Sequence, residues 1–281
     1  LPHLANMLRF GVTACEVKSG YGLDVATELK QLRAVRRLND LQPVELIPTF
    51  MGAHSVPRGQ DADSYIDFCM EESLPAAAES GLAVFADIFC EKGVFSLEQS
   101  ERYLRRAAQL GFGLKVHADE MYPLGGAGLA AKLGAVSADH LLKVRQEDIL
   151  RLAASETVAT ILPLTAFSLA EPYAPARQLI DGGAAVAVAS DFNPGSCCTY
   201  SLPLAVALCC IHMKMSIEET LTALTVNGAA ACGCADRFGS IEAGKQADFA
   251  VYSCSSKEFL PYCTGLNLVE KVYKRGELVH G

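Results

Sequence analysis

Residues 84–119 read VFADIFCEKGVFSLEQSERYLRRAAQLGFGLKVHAD. Two short apolar runs, VFADIF (84–89) and LKVHAD (114–119), enclose a segment with helical spacing, SLEQSERYLRRAAQLG (96–111). That segment opens on Ser96, a favourable N-cap, and closes on Gly111, a residue suited to ending a helix. The flanking runs do not alternate between apolar and polar. Such continuity suits parallel strands covered on both faces. A strand, a crossover helix and a second strand make the repeating unit of an α/β fold.

The same pattern extends in both directions. Further apolar runs are VTACEV (12–17), VELIPTF (44–50), AVSADHL (135–141), TVATILP (157–163) and AAVAVAS (184–190). Helical patterns stand between them, at VATELKQLRAVRRL (25–38), QEDILRLAAS (146–155) and APARQLIDGG (174–183). Two architectures compete, an open doubly wound sheet and a closed (β/α)8 barrel. No G-x-G-x-x-G follows the first run, so the dinucleotide fingerprint of the open sheet is absent and the barrel is expected. Seven runs are one short of closure. The opening residues, LPHLANMLRFGV, lack a signal peptide's basic start and carry helical spacing at Leu4, Met7 and Leu8. We therefore expect residues 1–238 to supply barrel strands two to eight, with the first strand missing from the chain. Two helices are expected at about 201–212 and 216–231. Beyond them, GSIEAGKQADFAVYS (239–253) and LVEKVYKRGELVHG (268–281) read as turn-linked strands, with Arg275-Gly276 as a hairpin turn. Residues 239–281 are expected to form the C-terminal β segment of a small composite β-sandwich.

Composition narrows the function. The net charge of −8 and the absence of a basic block speak against nucleic-acid or membrane-surface partners. No apolar run reaches the length of about 18 residues that a membrane helix needs. The chain has 11 cysteines, too scattered for a secreted disulfide framework. Cys15, Cys69, Cys90, Cys209 and Cys210 lie in apolar runs, where cysteine acts as a small hydrophobe. The pairs at 197–198 and 232–234 lack a second pair at zinc-site spacing. A reducing, cytoplasmic location is expected.

Barrel chemistry sits at the C-terminal ends of strands. His54 ends the second run, His117 the fourth, His140 the fifth and Asp191 the seventh, while Tyr21 follows the first. One histidine at a strand end is more often a hydrogen-bonded structural residue than a ligand. Three histidines and an aspartate converging on one rim favour a functional site. His3, His212 and His280 read as structural. Histidine with carboxylate suits a metal such as zinc, whose bound water becomes a nucleophile near neutral pH. Glu120, three residues past His117, is placed to take a proton from that water and pass it to a leaving nitrogen; the other reading is a helix N-terminal charge. Asp191 competes with it for the role of general base. The loop FNPGS (192–196) offers backbone donors and Ser196 to a polar substrate, or is simply a turn.

With these residues quoted, the chain resembles the imidazolonepropionase family of the amidohydrolase superfamily. The resemblance rests on GVTACEVKSGYGLD (11–24), TELKQLR (27–33), TFMGAH (49–54), FCEKGVFS (89–96), KVHADE (115–120), GAVSADHL (134–141), ASDFNPGS (189–196) and GSIEAGKQADF (239–249). It implies hydrolysis of 4-imidazolone-5-propanoate to N-formimino-L-glutamate in histidine degradation. It implies one zinc or iron ion (Zn2+ or Fe2+/Fe3+) per subunit of a homodimer. Carried over residue by residue, His117 and Asp191 would be metal ligands and Glu120 would activate the water. His140 would sit beside that water or the scissile carbonyl. Tyr21, His54, Asn193, Gly195 and Ser196 would hold the substrate. The superfamily's first barrel strand ends in a His-x-His pair, and this sequence contains none. The competing expectations are another amidohydrolase, a cyclic amidase or an aminohydrolase, and an inactive truncated fragment of the family.

Overall fold

The computed structural model describes residues 1–281. Seven strands, β1 (Ala14–Lys18), β2 (Glu45–Ala53), β3 (Phe85–Cys90), β4 (Gly113–Ala118), β5 (Ser137–His140), β6 (Val158–Ile161) and β7 (Val186–Val188), pair in chain order. Every pair is parallel. The sheet curls without closing, so β1 and β7 are its two edges. Glu16 and Lys18 of β1 nonetheless face the same cavity as Ala187 and Val188 of β7. The architecture is a curled half-barrel of the expected class.

Local chemistry accounts for the crossovers. Asp24 caps the helix Val25–Asn39 by accepting a hydrogen bond from Thr27 N. Ser96 and Gln99 form a reciprocal capping box on the helix Leu97–Gln109. Leu32, Leu104, Ile149 and Leu179 from the helices pack with Phe50, Ile88, Val116 and Ile161 from the strands in one continuous core. The helix expected over 216–231 is broken at Thr225 (φ −116°, ψ −81°) into Ile217–Leu224 and Val226–Ala231.

A second sheet holds β8 (Phe249–Tyr252), β9 (Val269–Lys274) and β10 (Glu277–His280) in the antiparallel order β10-β9-β8. Arg275 (φ 54°) and Gly276 (φ 81°) make the two-residue turn between β9 and β10. Positive φ at both positions matches the twist of a hairpin. Leu4, Met7 and Leu8 of the helix Pro2–Arg9 pack with Val35, Val44, Leu46 and Val272, joining this sheet to the half-barrel.

The concave face of the large sheet carries a polar cluster among apolar side chains. Side chains two apart on a strand share a face, and the pairs Glu16 and Lys18, Lys115 and His117, and Ser137 and Asp139 join Asp87 in one bonded cluster. Phe85 and Phe89 flank Asp87 on the same face of β3; Phe85 packs against Ala229, Cys234 and Phe238, and Phe89 lines the cavity. No helix is long and apolar enough to cross a membrane. All cysteines are free thiols; Cys69, Cys90 and Cys209 are buried, whereas Cys15 and Cys210 are half-buried.

Candidate active site

Five of the seven strands carry or lead into a polar rim residue (Tyr21 after β1, His54 after β2, His117 in β4, His140 in β5 and Asp191 after β7), and the backbone there is unusual. Tyr21 (φ 57°), Asp119 (φ 52°), His140 (φ 79°) and Asp191 (φ 51°) all adopt the left-handed region without being glycine. Each such residue costs on the order of 1 kcal/mol or more, and such strain concentrates at functional sites. Strand β7 ends at Val188, so Asp191 stands past the strand, on the loop that follows.

A cavity of about 1560 Å³ opens on this rim, and Tyr21, His54, His117, Glu120, His140, Asp191, Asn193, Gly195 and Ser196 all line it. Its depth follows from the curl of the sheet, and its breadth from the open flank between β1 and β7.

Beneath the rim lies an ion network. Asp87 Oδ1 is 3.1 Å from His117 Nδ1, and its Oδ2 accepts from Lys18 Nζ at 2.7 Å. Lys18 also reaches Glu16 at 2.7 Å and Asp139 at 3.2 Å. Lys115 Nζ lies 3.1 Å from Glu16 and donates to Ser137 Oγ at 3.0 Å, and Ser137 Oγ donates to Asp139 Oδ1 at 2.8 Å. Two ammonium groups and a protonated His117 would balance the three carboxylates. Burial opposes charge on His117, but the Asp87 carboxylate outweighs it and raises the imidazole to about 9. Burial likewise opposes charge on Asp87, yet His117 and Lys18 hold it well below the usual carboxylate range.

His117 stands between two other imidazoles, with ring centroids 5.3 Å from His54 and 5.1 Å from His140. Burial, and then the charge of His117, push His54 down to about 3 and His140 down to about 4. Both are therefore neutral at physiological pH. Nδ1 of each is buried without a hydrogen-bond partner. Glu120 Oε1 lies 3.5 Å from His140 Nδ1, too far for a formed bond. Burial raises the Glu120 carboxyl to about 7; His117 opposes the shift, while Asp191, Glu91 and Glu171 add to it. Tyr21 is exposed and meets His54 edge-on at 4.7 Å.

The loop after β7 is held by one amide. Asn193 Oδ1 accepts from Gly195 N and Ser196 N, both at 2.8 Å, and its Nδ2 donates to Asp191 O at 2.8 Å. Asn193 thus shapes the loop, and its Nδ2 also donates to Ser196 Oγ at 3.0 Å. Asp191 Oδ2 accepts from Thr165 Oγ1 at 2.7 Å.

The tightest group of metal-competent atoms is Asp87, His117 and Asp139, within 4.8 Å of one another. Asp191 lines the same cavity but lies outside this group. Lys18 Nζ already sits on both carboxylates, so a cation between them would meet an ammonium. Nδ1 of His117 is committed to Asp87, so Nε2 is the nitrogen left for a cation, which would bind there only by displacing the proton that the metal-free imidazole carries. His117 thus offers one donor toward the rim, backed by Asp87.

Sequence reasoning missed Glu16, Lys18, Asp87, Lys115 and Asp139. The signal was present as charges two apart inside apolar runs, at 16 and 18 and around 115–117 and 137–139.

The sequence profile described as the amidohydrolase family matches residues 3–280. An imidazolonepropionase of Parabacteroides distasonis is 56% identical over 277 residues, covering 98% of this chain and 67% of the relative. The chain belongs to the imidazolonepropionase family. It is thereby a hydrolase of the amidohydrolase type. The imidazolonepropionase of Clostridium tetani is 53% identical over 99% of this chain and 67% of its own length. The chain spans about two thirds of the length of these family members. Among solved structures, an adenosine deaminase from Xanthomonas campestris with bound zinc superposes with TM-score 0.71 at 21% identity, over 98% of this chain and 67% of that one. An atrazine chlorohydrolase from Arthrobacter aurescens complexed with zinc and atraton gives 0.71 at 16% identity, over 99% and 70%. These two share the fold of the family.

Proposed function

We propose that this site opens the ring of 4-imidazolone-5-propanoate to give N-formimino-L-glutamate, the hydrolysis implied by the family name. One observation supports the reading above the others: a carboxyl raised to about 7, Glu120, stands beside the neutral imidazole of His140 in a cavity shared with His117 and Asp191. His117 Nε2 and the Asp191 carboxylate would hold one zinc or iron ion. When bound, such a cation supplies Lewis acidity, acidifying water and polarising the ring carbonyl. A catalytic zinc ordinarily takes three protein ligands, and a strand paired into the open flank between β1 and β7 would be placed to add donors.

The chain's own residues carry the proton. Glu120 takes a proton from the attacking water as a carbon–oxygen bond forms at the ring carbonyl. It returns that proton to the ring nitrogen as the carbon–nitrogen bond breaks. The neutral His140 donates a hydrogen bond to the developing oxyanion. Tyr21 and His54 hold the propanoate arm, with Asn193, Gly195 and Ser196 of the loop after β7 across the cavity. Residues 1–238 act as the catalytic body and 239–281 as the β segment beside it. The same reading takes the protein as a cytoplasmic homodimer acting on a small molecule, in keeping with its net charge of −8.

A base must be ionised to act. Glu120 is protonated below about 7 and ionised above it, so kcat/KM should rise with pH through that value. The initial rate of ring opening, followed by loss of substrate absorbance, tests this. A profile flat from pH 5 to about 8 would remove Glu120 from the role. A panel of cyclic amides and aminopurines turned over in preference to the imidazolone would replace the proposed substrate.

A further inference from the structure

The chemistry proposed above needs Glu120 held in place, yet its own loop does little to hold it. Met121 and Tyr122, which follow it, leave 50% and 47% of their surface exposed, so side-chain packing does not fix them. Their backbone is fixed instead by Glu91, at the end of the neighbouring strand β3. The Glu91 side chain is fully buried. Its Oε2 accepts from Met121 N at 2.9 Å and Tyr122 N at 3.4 Å, and its Oε1 accepts from Lys92 N at 2.8 Å.

This carboxylate has no cation partner. Lys92, the nearest lysine in sequence, places its Nζ over the Tyr122 ring at 4.5 Å instead. A buried anion without a counter-ion is costly unless backbone donors surround it. Here those donors come from two different loops, and the Lys92–Tyr122 contact ties the same loops at the surface. On the other side of Glu120, Asp119 is anchored independently. Its carboxylate accepts from Gly125 N at 2.6 Å and Ala127 N at 3.0 Å, at the start of the helix Gly126–Leu133. Two buried carboxylates therefore bracket Glu120, one before it and one acting on the residues after it.

We infer that Glu91 is a positioning residue for the hydrolysis: it pins the backbone of Met121 and Tyr122, and so keeps the Glu120 carboxylate facing His140. The inference rests on the proposed role of Glu120, and the test separates the two. In Glu91→Ala the amides of Met121 and Tyr122 lose their acceptor. Their hydrogen exchange should accelerate at least tenfold, while that of Val116 and His117 in β4 stays unchanged. Misplacing a reacting group by about 1 Å costs on the order of 100-fold, so kcat should fall by roughly 10- to 100-fold with KM within about twofold. Glu91→Gln retains one oxygen for Met121 N–H and should restore most of kcat; it also serves if the alanine variant does not fold. Unchanged exchange at 121 and 122 in both variants overturns the inference, as does a loss of kcat and KM together that glutamine does not rescue. A wild-type chain that leaves the imidazolone ring closed counts against the proposed function, and amide exchange then decides the clamp alone.

Discussion

Lys18→Met is expected to lower the unfolding free energy by about 3–5 kcal/mol, the range for removing one partner of a buried ion pair. Methionine fills much the same volume, so packing is not the main loss. Lys18 bridges Glu16, Asp87 and Asp139 at 2.7, 2.7 and 3.2 Å, and Asp87 is fully buried. Without the ammonium, Asp87 and Asp139 face one another across a low-dielectric interior. The effect has a definite pH sign. The folded-state pKa of Asp87 is depressed, so its stabilising contribution is present above the unfolded value of about 4 and is lost as pH falls through the folded value. The gap between wild type and variant should therefore be widest near neutral pH and close in acid. Urea unfolding at pH 7, and then in a series from pH 4 downward, measures both quantities. A difference under about 1 kcal/mol at pH 7 would reduce the network to the weight of a surface pair.

Glu120→Gln is expected to lower kcat by about 100- to 10,000-fold, the usual contribution of general acid–base catalysis. Glutamine keeps the shape and can still donate to His140, but it cannot take the proton from water. Stability should move the other way. The folded-state pKa of Glu120 is raised to about 7 by burial, so stability falls as pH rises from the unfolded value of about 4.3 up to about 7 and is level above it. The variant should melt above the wild type at pH 8 and alongside it at pH 5. Loss of activity together with gain of stability marks a strained functional group rather than a structural one. Retained turnover would pass the proton-carrying role to Asp191.

Much of this arrangement was legible in residue order alone. The strand–helix–strand stretch at 84–119 identified the parallel sheet, because continuous apolar runs and a capped helix each follow from local chemistry. The histidines at 54, 117 and 140 could be placed on one rim, because the end of an apolar run is visible in sequence. The support beneath them was harder to see. Asp87 sits in the middle of VFADIF and Lys115 in LKVHAD, where one charge in an apolar run reads as noise. Only the pairing of β1 with β2, β2 with β3, β3 with β4 and β4 with β5 brings Lys18, Asp87 and Asp139 together, across up to 121 residues of chain. Asn193 shows a different limit. Its motif marks it as a substrate contact, and nothing in that string reveals that its amide also braces its own loop. Glu91 stands in FCEKGVFS, and nothing in that string reveals that its carboxylate reaches the backbone of another loop.

The central claim is that His117 and Asp191 share one cation on the rim while Lys18 keeps Asp87 and Asp139 as its support. Anomalous X-ray diffraction at the zinc edge, from crystals of the chain grown with stoichiometric zinc, tests it most directly. The account predicts one peak about 2.0–2.2 Å from His117 Nε2 and an Asp191 oxygen, with Lys18 still bonded to Asp87. A peak between Asp87 and Asp139 with Lys18 displaced, or no peak near His117 at all, would contradict it.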